Sequence, residues 1–213
     1  MTTAKPTTDL HHRLIDAADC LLAVIDVQDR FVDRLPAAER ALLIRRIAWI
    51  TGAAVRLGVP VVAMAEDLAR VGAVVGPVAA RFAPGQVVHD KQVYGLAGNP
   101  AILADVLATG RRTAVLVGLD TDVCVAHSAL GLLQHGLAVV AVADAVAAPG
   151  IRHQAGLDRL RGAGVLLSSV QSLFYEWTRS VAGTRAFMQA HGRELGDFEA
   201  GLPPAAAGQA GQG

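Results

Sequence analysis

The sequence predicts an α/β domain built on a parallel β-sheet. Short apolar runs of strand length alternate along the chain with longer segments that have helical spacing and end at a glycine. Runs that are apolar throughout are typical of parallel strands covered on both faces. The alternation of strand and helix predicts right-handed crossovers between the strands. The length of 213 residues suits one compact domain with its own core.

Six runs predict the strands, and the segments between them predict the helices. The four strongest strand candidates are residues 20–25, 59–65, 113–117 and 137–142, and the two weaker ones are residues 86–89 and 165–168. The helix candidates are residues 36–57, 100–108, 122–135 and 151–161, followed by terminal helices over 173–177 and 184–192. Residues 1–200 therefore form one predicted domain. The low-complexity segment 201–213 is predicted to be disordered.

Composition excludes several functional classes. The formal net charge is zero and the pI is near 7.1, so no charge excess favours nucleic acid or anionic lipid as a partner. No stretch reaches the roughly 18–20 consecutive apolar residues of a membrane helix. The first twelve residues lack the apolar centre of a signal peptide. We therefore expect a cytoplasmic protein whose two cysteines are reduced thiols.

Ligands of open α/β sheets bind beyond the carboxyl ends of the strands, so the residues that follow each strand are the candidates for a site. Cys124 follows the strand at 113–117 and lies in the first turn of a helix that Thr121 or Asp122 can cap. Unpaired N–H groups and the positive end of the helix dipole favour a thiolate there. The alternative is a buried structural cysteine.

Asp26 and Lys91 are the other candidates. Asp26 ends the first apolar strand, where it is either a general base for the thiol proton or a loop-capping residue. Seventeen arginines accompany only two lysines. Lys5 lies in the first twelve residues, which are predicted to be a mobile leader, so Lys91 is the only lysine in the predicted folded body. An ammonium can stabilise an ionised carboxylate and a thiolate, although a solvated surface lysine is the alternative.

The order Asp26, Lys91, Cys124 and the motifs around these residues resemble the isochorismatase-like cysteine hydrolase superfamily. The motifs are D-x-Q after the first strand, the lysine loop DKQVYGLAGNP, and G-x-x-T-D-x-C-V at residues 118–125. The resemblance covers roughly residues 21–169. It implies a three-layer αβα Rossmann-like fold with a six-stranded parallel sheet, and a catalytic triad of Asp26, Lys91 and Cys124. It also implies a cis peptide between Leu119 and Asp120.

Further site residues follow from the same resemblance. The backbone N–H groups of Asp120 and Cys124 are expected to hold the oxyanion. Asp26 is expected to serve as base both for the thiol and for the hydrolytic water. We expect the substrate pocket to be lined by Gln28, Phe31, Glu66, Tyr94 and His127. His127 follows Cys124 by almost one helical turn, so a Cys–His pair is a further possibility.

The chain departs from its relatives in ways that bear on the reaction. Nicotinamidases of this superfamily carry an Asp-x-His…His metal site after the second strand, but the corresponding segment here has no histidine. Glu66 and Asp67 alone are a poor site for a divalent transition metal, so we predict neither metal nor other cofactor. Members that cleave the vinyl ether of isochorismate lack the cysteine. Cys124 therefore favours amide hydrolysis through a thioester.

Three alternatives to a metal-independent amidase remain at this point. They are vinyl-ether hydrolysis of the isochorismatase type, a catalytically silent binding or scaffold protein, and a redox-sensing thiol. For every alternative that binds a ligand, the expected partner is a small molecule. Segments rich in alanine and valine, together with the terminal helices, also favour a homo-oligomer.

Overall fold

A six-stranded parallel sheet forms the centre of the fold. The computed structural model describes residues 14–199. The strands are β1 (Cys20–Ile25), β2 (Val61–Glu66), β3 (Val88–Lys91), β4 (Thr113–Leu119), β5 (Ala138–Ala147) and β6 (Leu166–Ser168). They are arranged in the order β3-β2-β1-β4-β5-β6, and every neighbouring pair is parallel. The predicted α/β class and the six-stranded parallel sheet are confirmed.

Helices cover both faces of the sheet. They are α1 (Asp29–Val32), α2 (Ala37–Arg56), α3 (Leu68–Val71), α4 (Gly76–Ala79), α5 (Pro100–Ala108), α6 (Ala126–Gln134), α7 (Ile151–Gly162), α8 (Val170–Thr178) and α9 (Val181–Leu195). Two 3₁₀ turns, Ala17–Asp19 and Leu96–Gly98, and one π-helical turn, Thr121–Val125, complete the elements within residues 14–199.

The side chains of β1 show how the three layers are held together. Successive residues of a strand point to opposite faces of a sheet. Leu22 and Val24 accordingly pack on the side of α2, α8 and α9, while Leu21 and Ala23 pack on the side of α5, α6 and α7. All six residues of β1 are buried, as a strand covered on both faces requires. The continuous apolar run in the sequence therefore reports burial on both sides.

Several predicted boundaries differ from the observed ones. The third strand ends at Lys91, because parallel pairing with β2 continues through the partners Ala65↔Asp90 and Glu66↔Lys91. Glu66 and Lys91 are therefore the last residues of their strands, whereas we expected them to follow the strands. The start of the helix predicted over 122–135 is also different, since a π-helical turn occupies Thr121–Val125 before α6 begins.

The order of the strands places a ligand crevice at the carboxyl end of β1. Strand order reverses between β1 and β4, and this is the point where open α/β sheets bind their ligands. Gly118 allows the two strands to meet there. Its φ of 123° is in a region that favours glycine, and an added Cβ would lie 1.9 Å from the carbonyl oxygen of Ile25. A larger residue at this position would push β4 away from β1.

The predicted disorder of residues 201–213 and the predicted leader at residues 1–12 lie outside the described residues. Among residues 14–199, no helix has the length and apolar character needed to cross a membrane.

Candidate active site

Asp26, Lys91 and Cys124 come together from three different elements. Asp26 follows β1, Lys91 ends β3, and Cys124 lies in the π-helical turn after β4. The Lys91 ammonium lies 2.9 Å from the Asp26 carboxylate and 3.8 Å from the Cys124 sulfur. The juxtaposition that the sequence predicted is therefore present at the carboxyl edge of the sheet.

The carboxylate of Asp26 is enclosed by protein. The residue adopts a left-handed backbone conformation, with φ at 49°, which is uncommon for any residue other than glycine. Its N–H donates to the carbonyl of Met64 at 3.1 Å, which fixes the turn after β1 against β2. Burial raises the pKa of Asp26 to about 6, although the adjacent Lys91 acts in the opposite direction. A carboxyl group with this pKa can accept and release a proton near neutral pH.

Lys91 is fully buried, so the alternative of a solvated surface lysine does not hold. Its ammonium donates to the carbonyl oxygen of Val93 at 2.8 Å in addition to contacting Asp26 and Cys124. A buried ammonium requires such partners, because an unpaired charge in the interior is costly. Lys91, the only lysine among residues 14–199, therefore lies at the centre of the site.

The surroundings of Cys124 favour the neutral thiol, whereas the position after a strand alone favoured a thiolate. Burial is the largest influence and raises the pKa of the Cys124 thiol well above its usual range, and the nearby Asp26 carboxylate acts in the same direction. Lys91 opposes both effects without overcoming them. The predicted helix capping is also wrong, because Thr121 bonds to His153 and Asp122 pairs with Arg152. Attack by this sulfur therefore requires a base that takes the thiol proton.

Glu66 is a second carboxylate beside the thiol. The Cys124 thiol donates toward Glu66 Oε2 at 3.6 Å, and Lys91 Nζ lies 4.0 Å from the same oxygen. The side chain of Glu66 is 26% exposed, whereas that of Asp26 is 1% exposed. Of the two carboxylates, only Glu66 lines the cavity that also borders Lys91.

Gln28 does not line the pocket as predicted. Its side chain is fully buried, and its amide nitrogen donates to the carbonyls of Glu66 and Gly72 at 2.9 and 2.7 Å. Its amide oxygen accepts from the N–H of Glu66 at 2.8 Å. Because its amide group is bonded to backbone atoms, Gln28 holds the backbone of Glu66 in place and is not free to contact a ligand. Phe31 is half-buried, packs against the core that includes α2, and lies beneath the guanidinium of Arg34.

A cavity of about 380 Å³ opens in front of the site. It is lined by Glu66, Asp67, Lys91, Gln92, Val93 and Tyr94. Tyr94 is 58% exposed, and its ring lies edge-on to the exposed ring of His127, with centroids 6.1 Å apart. The possible Cys–His pair is not observed, because the polar side chains that contact the Cys124 sulfur are those of Lys91, Glu66 and Asp26. His127 instead lies next to Tyr94.

Asp120 joins the π-helical turn that carries Cys124 to two arginines that the sequence did not single out. A cis peptide bond precedes Asp120, at the position that the resemblance implied. Arg34 contacts one carboxylate oxygen of Asp120 at 2.6 Å, and Arg152 contacts the other at 3.1 Å. Arg152 also pairs with Asp122 at 2.8 Å. The paired arginines anchor the turn that carries Cys124, and no local sequence signal marks either of them.

Donor atoms of Asp26, Glu66 and Cys124 lie within 4.8 Å of one another, so two oxygens and one sulfur form the strongest candidate for a cation site among residues 14–199. The Lys91 ammonium already lies within ion-pair distance of both carboxylates. A divalent ion at this position would be repelled by that ammonium. The absence of a metal therefore stays a prediction, and the charge of Lys91 supports it.

Comparisons with known proteins identify the family of this chain. A family model described as the isochorismatase domain matches residues 20–172. The secreted isochorismatase effector Isc1 of Phytophthora sojae is 30% identical over 185 residues, which is 83% of this chain and 84% of that protein.

Solved structures show the same fold at lower sequence identity. The Escherichia coli YcaC gene product, described as an octameric hydrolase of unknown specificity, has a TM-score of 0.74 and 20% identity, covering 90% of this chain and 95% of its own. N-carbamoylsarcosine amidase of Thermoplasma acidophilum has a TM-score of 0.60 and 24% identity, covering 71% of this chain and 96% of its own. The chain therefore belongs to the isochorismatase-like family of hydrolases.

Proposed function

We propose that this hydrolase cleaves a C–N amide bond of a small molecule through a thioester on Cys124. The observation that carries the proposal is the contact of one buried ammonium, Lys91, with both the Asp26 carboxylate and the Cys124 sulfur. This arrangement places a base, a cation and a nucleophile within reach of one carbonyl carbon. The amidase of Thermoplasma among the structures of the same fold is consistent with this chemistry.

Acylation begins with transfer of the thiol proton. Asp26 accepts this proton as the sulfur attacks the carbonyl carbon, and Lys91 compensates the negative charge that develops on the sulfur. The backbone N–H groups of Asp120 and Cys124 stabilise the oxyanion of the tetrahedral intermediate. The protonated Asp26 then donates to the departing nitrogen. The C–N bond breaks, the amine leaves, and the acyl group remains on the sulfur as a thioester.

The charge of the cavity favours a neutral or cationic amide as substrate. Glu66 and Asp67 line the cavity, and its only cationic lining residue among those described, Lys91, is already paired with Asp26. An anionic substrate would approach two carboxylates with no free cation to compensate its charge. Isochorismate carries carboxylate groups, so the vinyl-ether alternative is the less favoured of the two hydrolytic reactions. Tyr94 offers an exposed aromatic ring to a planar or cationic group.

We also infer that the enzyme works as a homo-oligomer. The YcaC structure of the same fold is described as octameric, and this chain exposes the large apolar side chains of Tyr175, Val181 and Ile151. The cytoplasmic location stays a prediction from the sequence, because the Phytophthora relative is described as a secreted effector.

A matched pair of cysteine variants tests the proposed function. Small amides and activated esters are offered to the wild type, to Cys124→Ala and to Cys20→Ala. Cys20 is the appropriate control because it is also buried and burial raises its pKa to about 12, but it lies at the start of β1, away from the cavity. We expect Cys124→Ala to lose turnover and Cys20→Ala to retain it. Turnover by Cys124→Ala would refute the covalent mechanism.

A further inference from the structure

We propose that Glu66, and not Asp26, is the catalytic base that activates water for hydrolysis of the thioester. The inference rests on the proposed function and assigns its second half-reaction. It also replaces the role in that step which the sequence suggested for Asp26. Three observations carry it, namely access from the cavity, distance to the reacting sulfur, and rigid placement of the carboxylate.

Access to water distinguishes the two carboxylates. Asp26 has 1% of its side chain exposed and does not line the cavity, while Glu66 has 26% exposed and lines it. In this proposal the hydrolytic water approaches the acyl group from that cavity, whose lining residues Glu66 and Lys91 both contact the Cys124 sulfur. A base for this water must contact both the water and the solvent-facing side of the acyl group, and Glu66 meets this requirement.

The distance from Glu66 to the sulfur suits this role. Oε2 lies 3.6 Å from Cys124 Sγ, so an acyl carbon bound to that sulfur is within reach of Glu66 through a single water molecule. A general base acts either directly or through one such water. The same carboxylate oxygen lies 4.0 Å from the Lys91 ammonium, which holds it near the sulfur.

Backbone interactions fix Glu66 in this position. Gln28 holds its N–H and its carbonyl at 2.8 and 2.9 Å, and parallel pairing aligns Glu66 with Lys91 across β2 and β3. Both partners of Glu66 are themselves fully buried. The carboxylate is therefore positioned by rigid elements, as a catalytic group requires.

The contact between Glu66 and the Cys124 sulfur also lets the proton return to the sulfur at the end of the step. Glu66 takes one proton from water while the water oxygen bonds to the thioester carbon. The tetrahedral intermediate then collapses, the C–S bond breaks, and the acid product leaves. The proton passes from Glu66 to the departing Cys124 sulfur, which restores the thiol and the carboxylate.

Burst kinetics with p-nitrophenyl acetate test the assignment in the full-length protein. Glu66→Gln keeps the shape of the side chain but removes the base, so we expect rapid release of about one p-nitrophenol per site, followed by turnover at least about 100-fold slower than that of the wild type. Acetylated Cys124 should accumulate and be detected by mass spectrometry. Glu66→Asp should deacetylate faster than Glu66→Gln. Asp158→Asn, an exposed carboxylate-to-amide change on α7, is the matched control and should behave as the wild type.

Hydroxylamine separates the two half-reactions. It attacks a thioester without needing a base, so it should restore turnover of Glu66→Gln. Wild-type deacetylation in Glu66→Gln would overturn the role of Glu66, and so would loss of the burst in this variant while Glu66→Asp acetylates normally. Failure of wild-type Cys124 to acetylate at all would instead contradict the proposed function.

Discussion

Acidification should slow acylation of Cys124, because Asp26 must be ionised to take the thiol proton. Burial raises the pKa of this carboxyl to about 6, from the model-compound value of 3.8. A group with a raised pKa takes up its proton as the pH falls through about 6, so the base is progressively lost below that value. An unperturbed aspartate would remain ionised to about pH 4.

The expected magnitude follows from the fraction of Asp26 that is ionised. With a pKa of about 6, roughly nine-tenths of the carboxyl is ionised at about pH 7 and roughly one-tenth at about pH 5. Acylation should therefore slow about tenfold over this interval. Ionisation of the Cys124 thiol does not change the acylation rate in this pH range, because burial raises its pKa far above neutrality.

Acetylation by p-nitrophenyl acetate provides the assay. The second-order rate constant for acetyl-enzyme formation is measured by acid quench and mass spectrometry between about pH 5 and pH 8. Like that of kcat/KM, its pH dependence reports the pKa values of groups in the free enzyme. Asp26→Asn should be slow throughout and should lack the acidic limb. A wild-type rate that is flat across this interval, or an acidic limb that persists in Asp26→Asn, would refute the assignment of Asp26 as the base.

Other consequences concern the scaffold and the ion pair. Gly118→Ala should destabilise the fold by more than about 4 kcal/mol, because the new Cβ would lie 1.9 Å from the Ile25 carbonyl oxygen. Gly136→Ala, also at positive φ but with open space around the Cβ, should cost only about 1–2 kcal/mol in the same urea titration, and equal losses would contradict the steric argument. Lys91→Gln should lower the free energy of unfolding by about 3 kcal/mol near pH 8, by leaving buried Asp26 unpaired. This loss should shrink as Asp26 is protonated toward pH 5, so a loss independent of pH would count against the ion pair. Neutral or cationic amides should be hydrolysed with higher kcat/KM than matched anionic ones, and a preference for anions would contradict the acidic cavity.

The fold could be predicted from the sequence because its central strands are buried on both faces. β1 and β4 are buried along their whole length, and their positions were predicted to within two residues. The edge strand β3 was less clear, since it contains His89, Asp90 and Lys91 and is held by pairing with β2 alone. Its boundary depends on a partner distant in sequence, which local composition does not report.

The site was predictable only in part, for a related reason. The order of Asp26, Lys91 and Cys124 and their positions near strand ends indicated that they would meet at one edge of the sheet. The buried role of Gln28 and the protonation of the thiol depend on tertiary contacts and burial, which motifs do not encode. The same holds for the contact of Glu66 with the sulfur.

The acyl adduct on Cys124 is the most direct test of the covalent mechanism. A hydrolysed amide identified in the substrate screen is mixed with excess enzyme, quenched in acid within its first turnover, and analysed by peptide mapping. The mechanism predicts that the peptide containing Cys124 gains the mass of the acyl group, and that Cys124→Ala gains none. Hydrolysis of the amide by Cys124→Ala at the wild-type rate, with no adduct on the wild-type cysteine, would contradict it.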